Sequence, residues 1–230
     1  IVGLGIEFAS AQIKGEEVNE GYLVSGMLIP LIVPVDVPLW MLAIAVAFAV
    51  IFGKEVFGGT GMNFLNPALA GRAFLIASYA NHMTTWIVPN SLKGVVDGTT
   101  MATPMTYLYG GKAMPGYYSY LNMFLGIMPG CFGEASKVAL LIGGIYLICR
   151  KIISWRIPVS FIGTVALLTL ILGHEGYGNF EWMMYNLLCG GLFLGAFFMA
   201  TDYATSPVTL PGQLLYGFGL PLSRRSLSSA

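Results

Sequence analysis

Two hydroxyl-rich stretches of this sequence offer side chains that could bond covalently to a phosphate. The first, DGTTMATPMT, runs from Asp97 to Thr106 and holds four threonines in ten residues, and the second, MATDYATSPVT, begins at Met199. A threonine hydroxyl can carry a phosphoester. The same residues also suit a helix N-cap or a turn, in which the hydroxyl accepts a backbone hydrogen bond. Spacing alone leaves both interpretations open.

No second pattern of catalytic or metal-binding residues is found in the sequence. His82 and His174 lack metal-ligand spacing, and we expect both to lie in surface loops. The phosphate-binding glycine motifs are absent, and GGTG at 58–61 better suits a helix break. The cysteines form neither a CxxC pair nor a cluster with histidine, so a protein-held metal cluster is not expected: Cys131, Cys149 and Cys189.

The composition is that of a membrane protein. Hydrophobic residues make up 56% of the 230 residues and charged residues only 10%, with a mean hydropathy of +0.75, whereas soluble domains carry roughly 25% charged residues. The formal net charge is zero, so nothing indicates a nucleic-acid partner. We predict one all-α integral membrane domain over 1–230. Because it starts inside an apolar run and ends in a polar tail, we expect it to be a fragment truncated at both ends.

Six apolar segments are candidates for membrane-spanning helices, and several are shorter than the roughly 20 residues that a span needs. Short apolar segments that end in Gly, Asn or Pro are typical of helices broken inside a membrane. The sequence therefore predicts a polytopic transmembrane bundle with some broken helices, and the candidate spans are 22–35, 39–53, 67–80, 137–149, 158–173 and 183–200.

The clearest predicted break is FGGTGMNFLNPALAGRAF, residues 57–74. Its glycines free the backbone, Asn63 and Asn66 supply polar groups, and Pro67 suits the first turn of a new helix. Irregular backbone at membrane depth survives only when it is buried in protein or lines a cavity. We therefore expect a cavity for a bulky cofactor, with an ordinary interfacial loop as the alternative.

Basic residues predict the orientation. Arg150, Lys151 and Arg156 share one short connection, which should be cytoplasmic. Alternation of the helices then puts the 63–66 loop and Asp202 on the same side and Thr103 on the opposite side.

The two threonine stretches resemble each other. ATPMT at 102–106 and ATSPVT at 204–209 share Ala-Thr, then Pro, then Thr, and they face opposite sides in this topology. This arrangement is typical of an inverted repeat. We predict a first repeat over 1–136 and a partial second repeat over 137–230.

Long stretches of the chain resemble, in order, the B subunit of the Na+-translocating NADH:quinone oxidoreductase family, from residue 2 to about 217. The related D subunit of the Rnf ferredoxin:NAD oxidoreductase shares the architecture, but EVNEG and NPALAGRAF look more like the quinone-reducing enzyme. The matching stretches are EVNEGYLVSGMLIPLIVP, GKEVFGGTGMNFLNPALAGRAFLIASY, DGTTMATP, MPGCFGEASKVALLIGG, SWRIP and FMATDYATSP.

The resemblance implies that Thr103 carries FMN through its phosphate. In the family, the last threonine of a Ser-Gly-Ala-Thr-like tetrapeptide does so, and the matching residues here are Thr100, Met101, Ala102 and Thr103. Thr100 keeps a hydroxyl, whereas Met101 replaces a glycine. Thr205 in the second stretch is the competing site.

The resemblance also implies a non-covalent riboflavin and a quinone site. Asn63, Asn66 and Asp202 would suit hydrogen bonds to riboflavin, although Asp202 could instead simply end its apolar helix. Gly3, followed by Leu4 where the family has a second glycine, matches the quinone-site pair. Glu7 matches a family acid linked to sodium uptake.

The implied function is electron transfer from a partner subunit's flavin to FMN, then riboflavin, then ubiquinone or menaquinone, coupled to sodium movement. The implied partners are the other subunits of a complex, lipid and quinone, in the bacterial inner membrane, with NADH oxidation and iron–sulfur centres in other subunits. Three alternatives remain: an Rnf D subunit, a cofactor-free ion transporter of similar architecture, and a purely structural membrane subunit.

Overall fold

The computed structural model describes residues 1–15, 17, 22–59, 61–63, 65–93, 98–110, 112–134, 136–173 and 176–228. Their regular elements are helical, which confirms the all-α prediction. The α-helices are α1 Val2–Lys14, α2 Tyr22–Leu31, α3 Leu39–Gly53, α4 Pro67–Ser78, α5 Ala80–Thr84, α6 Pro104–Tyr109, α7 Tyr120–Leu125, α8 Lys137–Cys149, α9 Arg156–Leu172, α10 Asn179–Leu188, α11 Leu192–Leu194 and α12 Leu210–Ser228. Short 3₁₀ turns lie at Glu55–Phe57, Asn90–Leu92 and Phe132–Glu134, and a π-helical turn, Gly195–Met199, continues α11.

The chain divides into two compact units. The first comprises Ile1–Ile87 with Cys131–Gly133, and the second comprises Val88–Gly130 with Glu134–Ala230. Both threonine stretches belong to the second unit, apart from Asp97, which lies outside the described residues. The inverted repeat with its boundary at 136/137 stays a prediction.

In the first unit, α3 is apolar on all sides and packs against α4, α1 and α2, as expected for a helix without a polar face. Phe48 of α3 stacks on Phe74 of α4 with ring centroids 4.6 Å apart. Gly71 allows the two backbones to approach, because a Cβ there would lie 3.1 Å from both the Ala45 carbonyl oxygen and the Ala49 Cβ.

The chain leaves helical geometry between α3 and α4, where the sequence predicted a break, and the depth of this break in a membrane stays a prediction. After the 3₁₀ turn, Gly58 and Gly59 adopt φ values of 118° and 94°, a region that only glycine enters at low cost. The side-chain oxygen of Asn66 then accepts hydrogen bonds from the amides of the second and third helical residues, at 3.0 and 3.4 Å. Pro67 is the first residue of α4, because its missing N–H would have no partner there in any case.

In the second unit, α9 packs against α10, α12 and the π turn, and α7 packs against α10 and α8. Gly144 of α8 lies so close to the ring of Phe197 that a Cβ there could not be accommodated. The buried core of this unit mixes aromatic and sulfur-containing side chains: Leu108, Tyr118, Met123, Met128, Trp182, Tyr185, Leu188 and Cys189.

The apolar segment predicted at 183–200 is bent. α10 ends at Leu188 and α11 begins at Leu192, and the two halves of the segment meet at 65°. Gly190, in the break, has a φ of 68°. The sequence predicted one continuous candidate span over 183–200, so the break inside it is a correction, made possible by the positive φ that Gly190 adopts at little cost.

Within the described residues, one helical segment is long and apolar enough to cross a membrane, Leu39–Phe57, and the bent pair from Asn179 to Met199 would be a second if taken as one span. Three further apolar helices are shorter: Pro67–Ser78, Lys137–Cys149 and Arg156–Leu172. The number of membrane crossings stays a prediction. His82 lies exposed in α5 rather than in a loop, because the chain turns helical again directly after Tyr79, and His174 lies outside the described residues.

Candidate functional site

Thr103 is the N-cap of α6, in the second unit. Its side-chain oxygen accepts a hydrogen bond from the Thr106 amide at 3.4 Å and lies 3.0 Å from the Thr106 hydroxyl. Pro104 follows at the first helical position. The capping interpretation of this stretch is therefore confirmed, and it is compatible with a covalent role because the side chain remains partly exposed.

A hydrogen bond from Tyr118 holds the segment before Thr103 in place. The Tyr118 hydroxyl donates a 2.8 Å hydrogen bond to the carbonyl oxygen of Ala102. Its ring is buried and makes edge contacts with Tyr107 and Tyr117, at centroid distances of 5.9 and 4.5 Å. Burial raises the pKa of Tyr118, so the phenol keeps the proton that it donates.

The two residues that differ from the family tetrapeptide have different environments. Met101 is partly buried against the aromatic core of the second unit, whereas Thr100 is exposed. A methionine at this position therefore has a packing role that glycine could not fill. Sequence reasoning registered Met101 only as a departure.

Thr205, the competing site, has a carboxylate neighbour. Its hydroxyl donates to the Asp202 carboxylate at 3.3 Å, and the Ser206 amide donates to the Asp202 carbonyl at 2.9 Å. A phosphoester at Thr205 would place a second negative charge beside this carboxylate, which is unfavourable. The hydroxyl of Thr103 instead contacts two uncharged groups of Thr106.

The residues assigned to riboflavin fall in both units. Asn66 caps α4 with its side-chain oxygen, and the Asn63 side-chain oxygen is buried without a hydrogen-bond partner among the described residues. Both belong to the first unit and Asp202 to the second, so their convergence stays a prediction. A buried acceptor without a donor is costly, and Asn63 therefore fits a ligand that brings an N–H or O–H group.

Gly3 and Glu7 lie on the buried side of α1, whereas Leu4 is exposed. Glu7 forms an ion pair with Lys54, and the two side chains are only 5% and 4% exposed. One turn further along α1, Ser10 and Lys14 bind the carboxylate of Glu55 at 2.6 and 2.9 Å. The sequence identified Glu7 but not its partner, although a lysine directly after an apolar helix was a signal for a buried pair.

An all-helical, strongly apolar architecture with a broken helix and a buried ion pair is typical of helical membrane proteins. The chain belongs to the NQR2, RnfD, RnfE family, whose model matches residues 1–223. The family resemblance drawn from the sequence is thereby confirmed.

Individual relatives include both kinds of protein in this family. The chain is 44% identical over 205 residues to a protein of Acetobacterium woodii named as the D subunit of a Na(+)-translocating ferredoxin:NAD(+) oxidoreductase complex, covering 87% of this chain and 60% of the relative. It is 42% identical over 212 residues to the B subunit of the Na(+)-translocating NADH-quinone reductase of Chromohalobacter salexigens, covering 89% and 50%. With the B subunit of the same enzyme from Neisseria meningitidis serogroup A, identity is 39% over 224 residues, covering 94% and 55%. The chain thus spans 50 to 60% of the length of these relatives.

Proposed function

We propose that this chain belongs to the membrane subunit of a sodium-translocating NADH:quinone oxidoreductase, whose flavins relay electrons to quinone. The observation that carries the proposal is the geometry of Thr103, the residue that the family resemblance assigns to covalent FMN. Its hydroxyl is partly exposed, has uncharged neighbours, and stands on a segment that a buried tyrosine fixes. FMN, when bound, supplies one- and two-electron transfer, and the protein supplies attachment and orientation.

Each residue of the segment has a separate task in this proposal. Thr103 offers the oxygen that is esterified to the phosphate. Tyr118 holds the preceding carbonyl, so the esterified oxygen stays in one place relative to the core. Met101 anchors the segment through packing, and a rigid support of this kind lowers the cost of holding a bulky group in one orientation.

Riboflavin and quinone are assigned to other residues. Asn63 offers a buried oxygen that needs a donor, and Asn66 and Asp202 complete the proposed riboflavin set. Gly3 lies on the buried side of α1 with Glu7 one turn further on, which suits a quinone next to a charged group that responds to sodium. These assignments rest on the family resemblance.

The surface of the chain supports a lipid environment. Many large apolar side chains are exposed on the long helices, for example Leu39, Ile142 and Ile171, at 82, 65 and 66%. Patches of this kind mark membrane or protein interfaces. We propose that lipid and the other subunits of the complex cover them, in a multi-pass protein of the bacterial inner membrane.

A second candidate is the D subunit of a ferredoxin:NAD oxidoreductase complex, favoured by the 44% identity to the relative of that name. The two candidates differ in their electron partners. Membranes that contain the assembled complex should reduce quinone with NADH in the first case, and NAD+ with reduced ferredoxin in the second. A protein purified without any flavin would favour a cofactor-free transporter instead.

The covalent attachment is tested by replacing one hydroxyl at a time in the protein expressed with its flavin transferase. Thr103→Val removes the hydroxyl at nearly constant volume, and it should abolish the flavin fluorescence of the denatured protein in a gel. Thr205→Val is the matched control and should keep the full signal. Fluorescence that persists in Thr103→Val and vanishes in Thr205→Val would move the site, and no fluorescence in the unmutated protein would refute covalent attachment.

Orientation needs its own experiment. Single cysteines introduced beside Arg156 and beside Thr103 are exposed in turn to a membrane-impermeant thiol reagent added to intact cells. Only the cysteine near Thr103 should react. Labelling near Arg156 alone would reverse the topology.

A further inference from the structure

A fully buried lysine lies close to the break of the bent segment. Lys137 is the first residue of α8, and its side chain is 0% exposed. Its ammonium donates a hydrogen bond to the backbone carbonyl of Glu134. A buried ammonium is strongly destabilising unless negative charge or dipoles surround it. The proposed electron transfer does not use this residue.

Glu134, three residues before Lys137, supplies that negative charge beside the break. The carboxylate of Glu134 lies between two glycines: a Cβ would be 3.3 Å from one of its oxygens at Gly130 and 3.1 Å from the other at Gly191. Gly191 is the last residue before α11. The absence of side chains at these positions is what allows the carboxylate to enter the break.

The end of α10 contributes as well. Cys189 caps this helix and is buried. The last carbonyls of a helix lack intrahelical partners and carry the negative end of its dipole. In broken membrane helices, such half-helix ends and the unwound backbone beside them are the groups that coordinate cations.

We propose that the break at 189–191 is a monovalent-cation site whose cation is the ammonium of Lys137. The ammonium replaces a free Na+ or K+, so the break keeps its bent geometry at any salt composition. Lys137 is thus a tethered ion, attached to the chain through its own side chain. The proposal does not depend on flavin attachment at Thr103, because it concerns the stability of the bent segment.

The test shortens the side chain of Lys137, so that a small cation can enter the space that the ammonium occupies. In the full-length protein within its purified complex, Lys137→Ala removes the ammonium and leaves space for a small cation. Lys137→Met also removes the charge, but its side chain fills the space. Lys112→Ala is the matched control, because Lys112 is an exposed lysine of the same unit.

Melting temperatures are compared in choline, sodium and methylammonium chloride at equal ionic strength. We expect Lys137→Ala to melt about 5 °C or more below the unmutated protein in choline, and to regain at least half of that loss in methylammonium or sodium. Lys137→Met should be destabilised in all three salts. The unmutated protein and Lys112→Ala should not respond to the choice of cation.

Two results would overturn the proposal: a Lys137→Met variant as stable as the unmutated protein, or a Lys137→Ala variant with no cation-specific recovery. If neither single variant accumulates, Lys137→Met is combined with Glu134→Gln. Removing both charges should restore accumulation, because the carboxylate then no longer needs a cation. Failure of this double variant to accumulate would also count against a tethered cation.

Discussion

The two threonine stretches are alike in sequence and differ in what their hydroxyls contact. Among the described residues, Thr103 caps a helix and contacts the amide and hydroxyl of Thr106, whereas Thr205 donates to the Asp202 carboxylate. A phosphoryl group that replaces the hydroxyl hydrogen of Thr103 would lie next to the uncharged groups of Thr106. The Asp202 carboxylate makes Thr205 the less favourable of the two for a negatively charged phosphate, a difference that the shared Ala-Thr sequence does not reveal.

The stretches also differ in how they are anchored. The first is fixed by a buried tyrosine that binds the carbonyl before Thr103. In the second, Tyr203, two residues before Thr205, is 74% exposed. Tyr118 therefore connects the backbone of the first stretch to the core of the unit, whereas the second stretch meets Tyr216 through the Thr205 side chain.

The largest expected effect comes from removing that anchor. Tyr118→Ala should lower the free energy of unfolding by about 3 kcal/mol or more, because it leaves a cavity beside Tyr107. Tyr118→Phe keeps the ring and loses one hydrogen bond, worth about 1 kcal/mol, and should reduce the fraction of covalently flavinylated protein. Denaturant unfolding and in-gel fluorescence measure the two effects. Tyr203→Phe should change neither the stability nor the flavinylated fraction. If it lowers them as much as Tyr118→Phe does, the two stretches do not differ in how tyrosines anchor them.

A smaller effect is expected at the helix break. Gly190 has a φ of 68°, and a Cβ there would lie 3.3 Å from the terminal methyl of Met105, two residues after Thr103. Gly190→Ala should cost about 1–2 kcal/mol in backbone strain and displaced Met105, seen as a lower melting temperature. Gly195→Ala is the control, since a Cβ there has no neighbour within 4 Å. If Gly190→Ala is as stable as the unmutated protein, the contact between the break and Met105 does not stabilise the first stretch.

The third prediction compares the last threonine of each stretch. Thr106→Val removes the hydroxyl that lies 3.0 Å from the Thr103 oxygen and should cost about 0.5–1 kcal/mol. Thr209, the corresponding residue, is also exposed, and Thr209→Val should be closer to neutral. The melting temperatures of the two variants, measured in parallel, test this difference in stability. A larger loss in Thr209→Val would mean that the second stretch is the better organised one.

The smallest effect is a dependence on alkaline pH. Burial first, and then the neighbouring phenols and thiol, raise the pKa of Tyr118 above its ordinary value of 10.0. The folded protein therefore keeps this proton where the unfolded chain has lost it, so this contribution to stability is present below about pH 10 and is lost as pH rises further. Tyr118→Phe should show a shallower fall in melting temperature above pH 10 than Tyr203→Phe. Parallel curves would exclude the contribution.

Local features of the sequence were sufficient to predict the apolar helices α2, α3, α4, α8 and α9 and the interruption after α3, whereas α1, α5, α6 and α7 were not predicted. Glycines at 58 and 59 and the Asn66–Pro67 pair act through their own backbone and nearest neighbours, so their effects could be predicted without a tertiary structure. Two helix bounds differ from the predicted ones, because packing determines where these helices begin and end. The helix predicted to begin at 158 begins at Arg156, and the helix predicted to end at 35 ends at Leu31.

Interactions between residues distant in sequence could not be predicted. Lys54 lies 47 residues from Glu7, and the Tyr118 hydroxyl reaches a carbonyl 16 residues earlier. The aromatic periodicity of such segments predicts burial but not the partner of a phenol. The same holds for Lys137, whose position at the start of an apolar helix gave no sign that its ammonium would lie beside a helix break formed about 50 residues later.

The ion pair between Glu7 and Lys54 has a consequence for synthesis of the chain. A ribosome adding about 5–20 residues per second completes Glu7 several seconds before Lys54, because 47 positions separate them. During that interval the carboxylate of Glu7 lacks its lysine partner, and a buried charge without a partner is costly. The final packing of α1 against α3 therefore has to wait until Lys54 has been synthesised and the two side chains can pair.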